Sequence, residues 1–152
     1  MDNMLLSFQH MNGGLIMNIS STLAFKPNAV SAIFCGTKRS VLGLTRSLSD
    51  SFFYQKYNNR ICTLCPGITQ TNLTESARKN LCTNELQEEF ERTLAYECKQ
   101  KPEVVATAAV HLIQKAPHGS TWIVENGDLY MIDFPHYKSY CVPKTLRVVC
   151  EK

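Results

Sequence analysis

The chain has no long apolar run and no cluster of like charges. None of its stretches approaches the roughly 18–20 consecutive apolar residues of a membrane span. Lysine and arginine are spread along 152 residues whose net charge is only +3, so the basic stripe typical of nucleic-acid-binding proteins is missing. We therefore expect neither a membrane partner nor a nucleic-acid partner.

Secretion signals and paired cysteines are also missing. Asp2 follows Met1, where a secretory signal peptide would have a basic region, so we expect the cytosol. The chain has seven cysteines, and an odd number without a secretion signal argues for free thiols. Cys62 and Cys65 have the spacing of a redox or zinc pair. They lie in an apolar run, however, and we interpret them as buried strand residues.

Metal-ligand patterns are absent as well. A zinc site would need a second close pair beside Cys62 and Cys65, and Cys82 and Cys98 are neither close together nor near a histidine. The four histidines lack ligand spacing: His10, His111, His118 and His136. The sequence therefore predicts no metal site.

Short apolar runs alternate with helical patterns along the chain. The runs at 15–20, 60–65 and 121–124 are bounded by glycine, proline or serine, which is typical of strands buried on both faces. Strands separated by helices indicate an α/β fold, and right-handed crossovers would place the three strands in one parallel sheet. Helices are predicted over 4–11 (the last turns of one), 31–53, 75–80, 85–95 and 102–116, and an extended segment over 129–134.

Four motifs in fixed order carry a family resemblance. The first is Asn18-Ile19-Ser20-Ser21, and thirteen residues after Ser21 comes Phe34-Cys35-Gly36-Thr37-Lys38. The third is the loop Cys65-Pro66-Gly67-Ile68-Thr69-Gln70-Thr71, and the fourth runs from Gly119 to Leu129. Together they resemble the C-terminal part of a short-chain dehydrogenase/reductase, in the branch of insect alcohol dehydrogenases and 15-hydroxyprostaglandin dehydrogenases.

The resemblance implies a fold and a domain layout. It implies the C-terminal half of a Rossmann-type parallel sheet with flanking helices, in which the N-terminal dinucleotide-binding strands are missing. The 152 residues would form a single incomplete domain, with the core match over about 13–128 and a C-terminal tail over 129–152.

The resemblance also implies roles for individual residues. In this family a serine orients the substrate oxygen, a tyrosine takes the alcohol proton, and a lysine stabilises the phenolate and binds the nicotinamide ribose. Ser21, position 34 and Lys38 match these positions. The residues that match the nicotinamide loop are Pro66, Gly67, Thr69 and Thr71. The implied cofactor is NAD, the implied substrate is a small alcohol or ketone, and the implied dimer contact is the helix over 31–53.

Two departures from the family pattern bear on activity. Position 34 is phenylalanine, which has no hydroxyl to exchange a proton. No Gly-x-Gly-x-x-Gly motif for the pyrophosphate occurs anywhere. We therefore expect a truncated and inactive NAD-dependent alcohol oxidoreductase. The alternatives are a non-catalytic protein that associates with an intact relative, and a product without a function of its own.

Several structural expectations follow from this interpretation. Ser21, Lys38 and the turn over 66–71 should converge around one pocket, and 31–53 should form one helix. The first strand should also have an open edge, because its usual neighbour would lie in the missing half. An open apolar edge promotes aggregation, so we expect the isolated chain to be poorly soluble or molten unless a partner covers it.

Overall fold

The computed structural model describes residues 13–140, with the exception of the Arg78 side chain. The helix predicted over 4–11, His10, Cys141 and Cys150 lie outside the described residues. Four strands and five α-helices follow one another with two short 3-10 turns. In chain order they are β1 (Gly14–Ile19), the turn Thr22–Ala24, α1 (Ala32–Leu48), α2 (Ser51–Tyr57), β2 (Asn59–Pro66), α3 (Asn72–Lys79), α4 (Asn84–Tyr96), α5 (Pro102–Lys115), β3 (Thr121–Glu125), β4 (Asp128–Ile132) and the turn Tyr137–Tyr140.

The four strands form one sheet in the order β1-β2-β3-β4. β2 pairs in parallel with β1 and with β3, so the prediction of three parallel strands is confirmed. The predicted extended segment forms a fourth strand, which pairs antiparallel with β3. Asn126 and Gly127 join the two strands with φ of 55° and 88°, the positive values that a tight type I′ hairpin requires.

Helices cover both faces of the sheet. On one face α5 places Leu112 against Cys62 and Leu64 of β2, and all three side chains are fully buried. On the other face α1 contacts β1, where Asn18 Nδ2 donates a hydrogen bond of 2.8 Å to Thr45 Oγ1. The buried cluster is centred on β2. Each fully buried aliphatic side chain in it stabilises the fold by about 1.5–3 kcal/mol.

The prediction of a single helix over 31–53 is wrong. α1 ends at Leu48, and Asp50 begins a second helix by accepting a hydrogen bond of 2.9 Å from the Phe52 amide. His118 also contacts the break. The Ile61 amide donates to His118 Nδ1, so the proton of the ring is on Nε2, which donates to the Ser49 carbonyl at 3.0 Å. The break lies well beyond Lys38, so positions 34 and 38 still share one helix.

Among residues 13–140, no helix combines the length and the apolarity that crossing a bilayer requires.

Candidate active site

The carboxyl ends of β1 and β2 meet at one edge of the sheet. The Ser20 amide donates to the Leu64 carbonyl at 2.8 Å, which continues the β1–β2 pairing past the end of β1. Ser21 Oγ lies 3.4 Å from the Pro66 carbonyl, to which it donates, and it accepts from the Leu23 amide at 3.2 Å. Crevices at the carboxyl ends of parallel strands are where α/β proteins bind ligands.

The two adjacent serines have different environments. Ser20 is 3% exposed, and its hydroxyl donates to the Lys38 carbonyl at 2.8 Å, which anchors α1 to the end of β1. Ser21 is only partly buried. Ser21 is therefore the serine that a ligand at this edge could reach.

Lys38 brings a positive charge to the same edge. It lies one helical turn after Phe34, so both side chains project from one face of α1. Lys38 Nζ donates to the Ile19 carbonyl at 3.1 Å and lies 5.4 Å from the centroid of the Phe34 ring. The aromatic ring at position 34 therefore lies beside the ammonium group, but it offers no proton acceptor.

The loop after β2 is held down on the sheet. The Gly67 amide donates to the Val124 carbonyl of β3 at 2.9 Å. A Cβ at position 67 would lie 2.8 Å from Glu125 Oε1, so any other residue here would force the Glu125 side chain to move. Thr69 Oγ1 donates to the Gly67 carbonyl at 3.0 Å, which closes the loop on itself.

The side chains of the two threonines of the loop differ in exposure and in hydrogen bonding. Thr69 is partly buried and its hydroxyl is used within the protein, whereas Thr71 is exposed. Thr71 precedes α3, and its side chain makes no capping hydrogen bond to that helix. A cavity of about 390 Å³ lies beside the loop, and its lining includes Thr71, Glu75 and Lys99.

The sequence motifs therefore meet at one edge of the sheet, although neither Ser21 nor Lys38 lines the cavity beside the loop. Ser21, Lys38 and the loop with Pro66, Gly67 and Thr69 lie around the carboxyl ends of β1 and β2. Two contacts of the loop were not predicted from the sequence: Glu125 lies against Gly67, and Gln100 contacts Thr69. The pair Asn126-Gly127 predicts the tight hairpin after Glu125, but no sequence pattern predicts that Gln100 contacts the loop.

The buried thiols of β2 confirm the interpretation of the cysteine pair. Cys62 and Cys65 are both fully buried, and burial raises the pKa of both thiols, to about 11 for Cys65. Contacts with Ser20 and Ser21 and the charge of Lys38 lower the Cys65 pKa by less than burial raises it. A protonated, inaccessible thiol is a poor nucleophile and a poor metal ligand. Between residues 13 and 140, no group of three or more His, Cys, Asp or Glu side chains could hold a metal ion.

Tyr54 lies at the other end of the sheet from Ser21. Its ring centroid is 4.5 Å from that of His118, and His118 bonds to the Ile61 amide near the start of β2. Ser21 and Pro66 lie at the end of the neighbouring strands. The tyrosine and the serine are thus separated by the length of β2.

The sequence of the chain resembles known sequences of one family. The family model described as short chain dehydrogenase matches residues 1–81. Alcohol dehydrogenase 1 of Ceratitis capitata is 33% identical over 121 residues, which cover 80% of this chain and 47% of that protein. Fat body protein 2 of Drosophila melanogaster is 30% identical, over 77% of this chain and 45% of its own length. The chain thus spans about half the length of the curated relatives it matches.

Solved structures share the same fold. L-sorbose reductase from Gluconobacter frateurii, complexed with NADPH and L-sorbose, superposes with a TM-score of 0.62 at 19% identity, covering 83% of this chain and 51% of that one. A 7α-hydroxysteroid dehydrogenase complexed with NADH and 7-oxo glycochenodeoxycholic acid gives 0.61 at 22% identity, covering 81% and 47%. The expected fold class, part of a Rossmann-type sheet with flanking helices, is confirmed.

Proposed function

The chain belongs to the short chain dehydrogenase family, and on this premise we propose that it forms the nicotinamide and alcohol side of an NAD-dependent oxidoreductase site. One observation carries the proposal: Ser21, Lys38 and the loop that begins at Pro66 converge at the carboxyl ends of two parallel strands. The names of relatives such as Alcohol dehydrogenase 1 support an alcohol or the corresponding ketone as substrate.

The residues at this edge fit the nicotinamide end of NAD. Lys38 offers an ammonium group that can bind ribose hydroxyls, and Thr71 offers an exposed hydroxyl that is not used to cap α3. Gly67 keeps the loop backbone close to the sheet, where it can support a flat ring. Bound NAD would supply the hydride acceptor. Ser21 would orient the alcohol oxygen through its hydroxyl.

Phe34 sets the limit of this chemistry. The proton of the alcohol must leave as the hydride does, and a phenyl ring can neither accept nor donate it. General acid–base catalysis contributes about 10²–10⁴ in rate. We therefore propose that the chain does not oxidise alcohols at the rate of relatives that have tyrosine at this position.

Restoring the phenol tests this assignment. In a chimera that places the preceding half of Alcohol dehydrogenase 1 before this chain, we expect Phe34→Tyr to raise the rate of NAD reduction by a secondary alcohol by about 10²–10⁴. The matched control is Phe52→Tyr, because Phe52 lies on α2 and is 62% exposed. A chimera that binds NAD but gains nothing from Phe34→Tyr contradicts the roles given to Ser21, position 34 and Lys38.

The proposal also covers the domain organisation and the cell compartment. We propose that residues 1–152 belong to one short-chain dehydrogenase domain and that the protein works in the cytosol. The free thiols of Cys35, Cys62, Cys65, Cys82 and Cys98 support a reducing compartment.

A second candidate function is association without catalysis, and the exposed face of α1 favours it. Positions spaced by three or four residues share one face of a helix. On this face Ile33 is 86% exposed and Leu44 is 57% exposed. Gly36 and Ser40 lie between them and keep the face flat enough for another helix to approach. The proposed partner is a second copy of the chain or an intact relative.

Light scattering after size-exclusion chromatography tests the association. We expect Ile33→Glu combined with Leu44→Glu to weaken the dimer at least about tenfold, because two apolar anchors are replaced by charges. The control is Val110→Glu combined with Ile113→Glu on α5, where the side chains are 55% and 52% exposed. Equal loss of dimer in both double variants contradicts an interface on α1.

A further inference from the structure

Gln100 is a buried polar side chain outside every motif of the family resemblance. It lies just before α5 and is 6% exposed. Its side-chain Nε2 donates to the Val124 carbonyl at 3.0 Å and to Thr69 Oγ1 at 3.3 Å. Its backbone also bonds to the loop, because the Gln100 amide donates to the Ile68 carbonyl and the Gln70 amide donates to the Gln100 carbonyl.

These contacts close a ring of hydrogen bonds around the loop. Thr69 Oγ1 accepts from Gln100 and donates to the Gly67 carbonyl at 3.0 Å, while the Gly67 amide donates to the Val124 carbonyl at 2.9 Å. The Gln100 amide group donates to that same Val124 carbonyl. The ring therefore fixes Gly67 and Thr69 relative to the end of β3.

The orientation of the Gln100 amide follows from its partners. The Val124 carbonyl can only accept, so the nitrogen of the amide must face it. The amide oxygen is then buried without a hydrogen-bond partner. An apolar side chain of similar length would fill the space without burying an unpartnered oxygen. The glutamine is thus poorly explained by packing alone, and its two donated bonds to the loop region are the feature that an apolar residue would lose.

We propose that Gln100 is a positioning residue that fixes the Gly67–Thr69 segment of the nicotinamide loop. This inference rests on the proposed function, because the loop has this role only where the nicotinamide end of NAD binds. Gln100 contacts neither cofactor nor substrate in this assignment. It acts through Thr69 and through the carbonyl that holds Gly67.

Amide hydrogen exchange of the full chain tests the positioning directly. Gln100→Met keeps the length of the side chain and removes both donors. We expect exchange at Gly67 and Gln70 to become about tenfold faster, as the loss of hydrogen bonds to a loop predicts. The Ser20 amide, which pairs β1 with β2, should change by less than about twofold. Gln114→Met on the exposed side of α5 is the matched control and should leave all three amides unchanged. Unchanged loop exchange, or an equal increase at Ser20, overturns the proposal.

Gln100→Glu adds a readout that depends on pH. As a carboxylate, the new side chain can no longer donate to the Val124 carbonyl, so exchange at Gly67 should be at least as fast as in Gln100→Met. Protonation restores one O–H donor, and burial raises the pKa of a carboxyl group. Loop exchange, expressed relative to the native chain at each pH, should therefore recover at mildly acidic pH. No recovery, or the same pH dependence in Gln100→Met, overturns the proposal.

Binding of nicotinamide mononucleotide distinguishes a failure of this proposal from a failure of the proposed function. Titration followed by NMR should give an affinity for the native chain that Gln100→Met lowers about fivefold, since a mobile loop must be ordered on binding. Equal affinity in the two proteins overturns the positioning role. No binding to the native chain contradicts the proposed function, whereas the exchange measurements still decide whether Gln100 fixes the loop.

Discussion

β1 and β2 are neighbouring parallel strands of similar apolar character, but only β2 is closed off from solvent along most of its length. Ile61 to Cys65 are each 4% exposed or less, whereas Ile19 at the end of β1 is 48% exposed. β2 has a strand on each side and a helix over each face, while within residues 13–140 β1 pairs only with β2. Burial in a parallel sheet is therefore decided by the neighbours of a strand more than by its own residues.

Removing one side chain from each strand tests this difference in burial. We expect Leu64→Ala to lower the free energy of unfolding by about 2–5 kcal/mol, because Leu64 is fully buried and leaves a cavity. Ile19→Ala should lower it by less than about 1 kcal/mol, since the side chain is already half in water. Urea unfolding measures both. Equal losses would mean that β1 is covered as well as β2.

A smaller effect is expected from the buried thiol of β2 at alkaline pH. Burial raises the pKa of Cys65 from 9.0 to about 11, so the folded state keeps its proton while the unfolded state loses it. The stabilisation is complete below pH 9 and is lost as pH rises towards 11, by about 2–3 kcal/mol in total. Urea midpoints between pH 8 and 11 should follow this loss.

Two cysteine substitutions test whether the Cys65 thiol causes the loss of stability at alkaline pH. Cys65→Ala should flatten the alkaline slope of the unfolding free energy. Cys98→Ala should not, because Cys98 is exposed. An alkaline slope that survives Cys65→Ala would assign the loss of stability to other groups, with Cys62 the first candidate because burial raises its pKa too.

The smallest effect concerns the contact between β2 and the end of α5. The Arg60 guanidinium donates to the carbonyls of Ala116 and Ile113 at 2.7 and 2.9 Å, where a helix leaves carbonyls unpaired. Arg60→Met should lower the unfolding free energy by about 1 kcal/mol. Arg39→Met, in which one exposed bond to the Phe25 carbonyl is lost, should have almost no effect. If both variants behave alike, the α5 contact adds nothing to the burial of β2.

One expectation about the edge of β1 is untested. Poor solubility of the isolated chain stays a prediction. The described residues agree with its premise, since β1 has a strand neighbour on one side only within that range.

Much of the candidate site could be predicted because its parts lie close to regular structure. Phe34 and Lys38 share a face of α1 through helix geometry alone. Ser21 and Pro66 meet because Ser21 lies just past the carboxyl end of β1 and Pro66 is the last residue of the neighbouring parallel strand β2. The helix break was missed although Asp50 is a favoured N-terminal cap, because the apolar spacing continues past it to Phe52.

The sequence by itself determined the alternation of strands and helices, through local periodicity, and the parallel pairing, through the rule for right-handed crossovers. It indicated Ser21 and Lys38 only through the family resemblance. Tertiary structure decided which strand is buried and which threonine of the loop stays open. It also placed Gln100 behind Thr69, thirty-one residues away in the chain. A contact between such distant positions has no local signature, because it depends on where the sheet brings the two segments together.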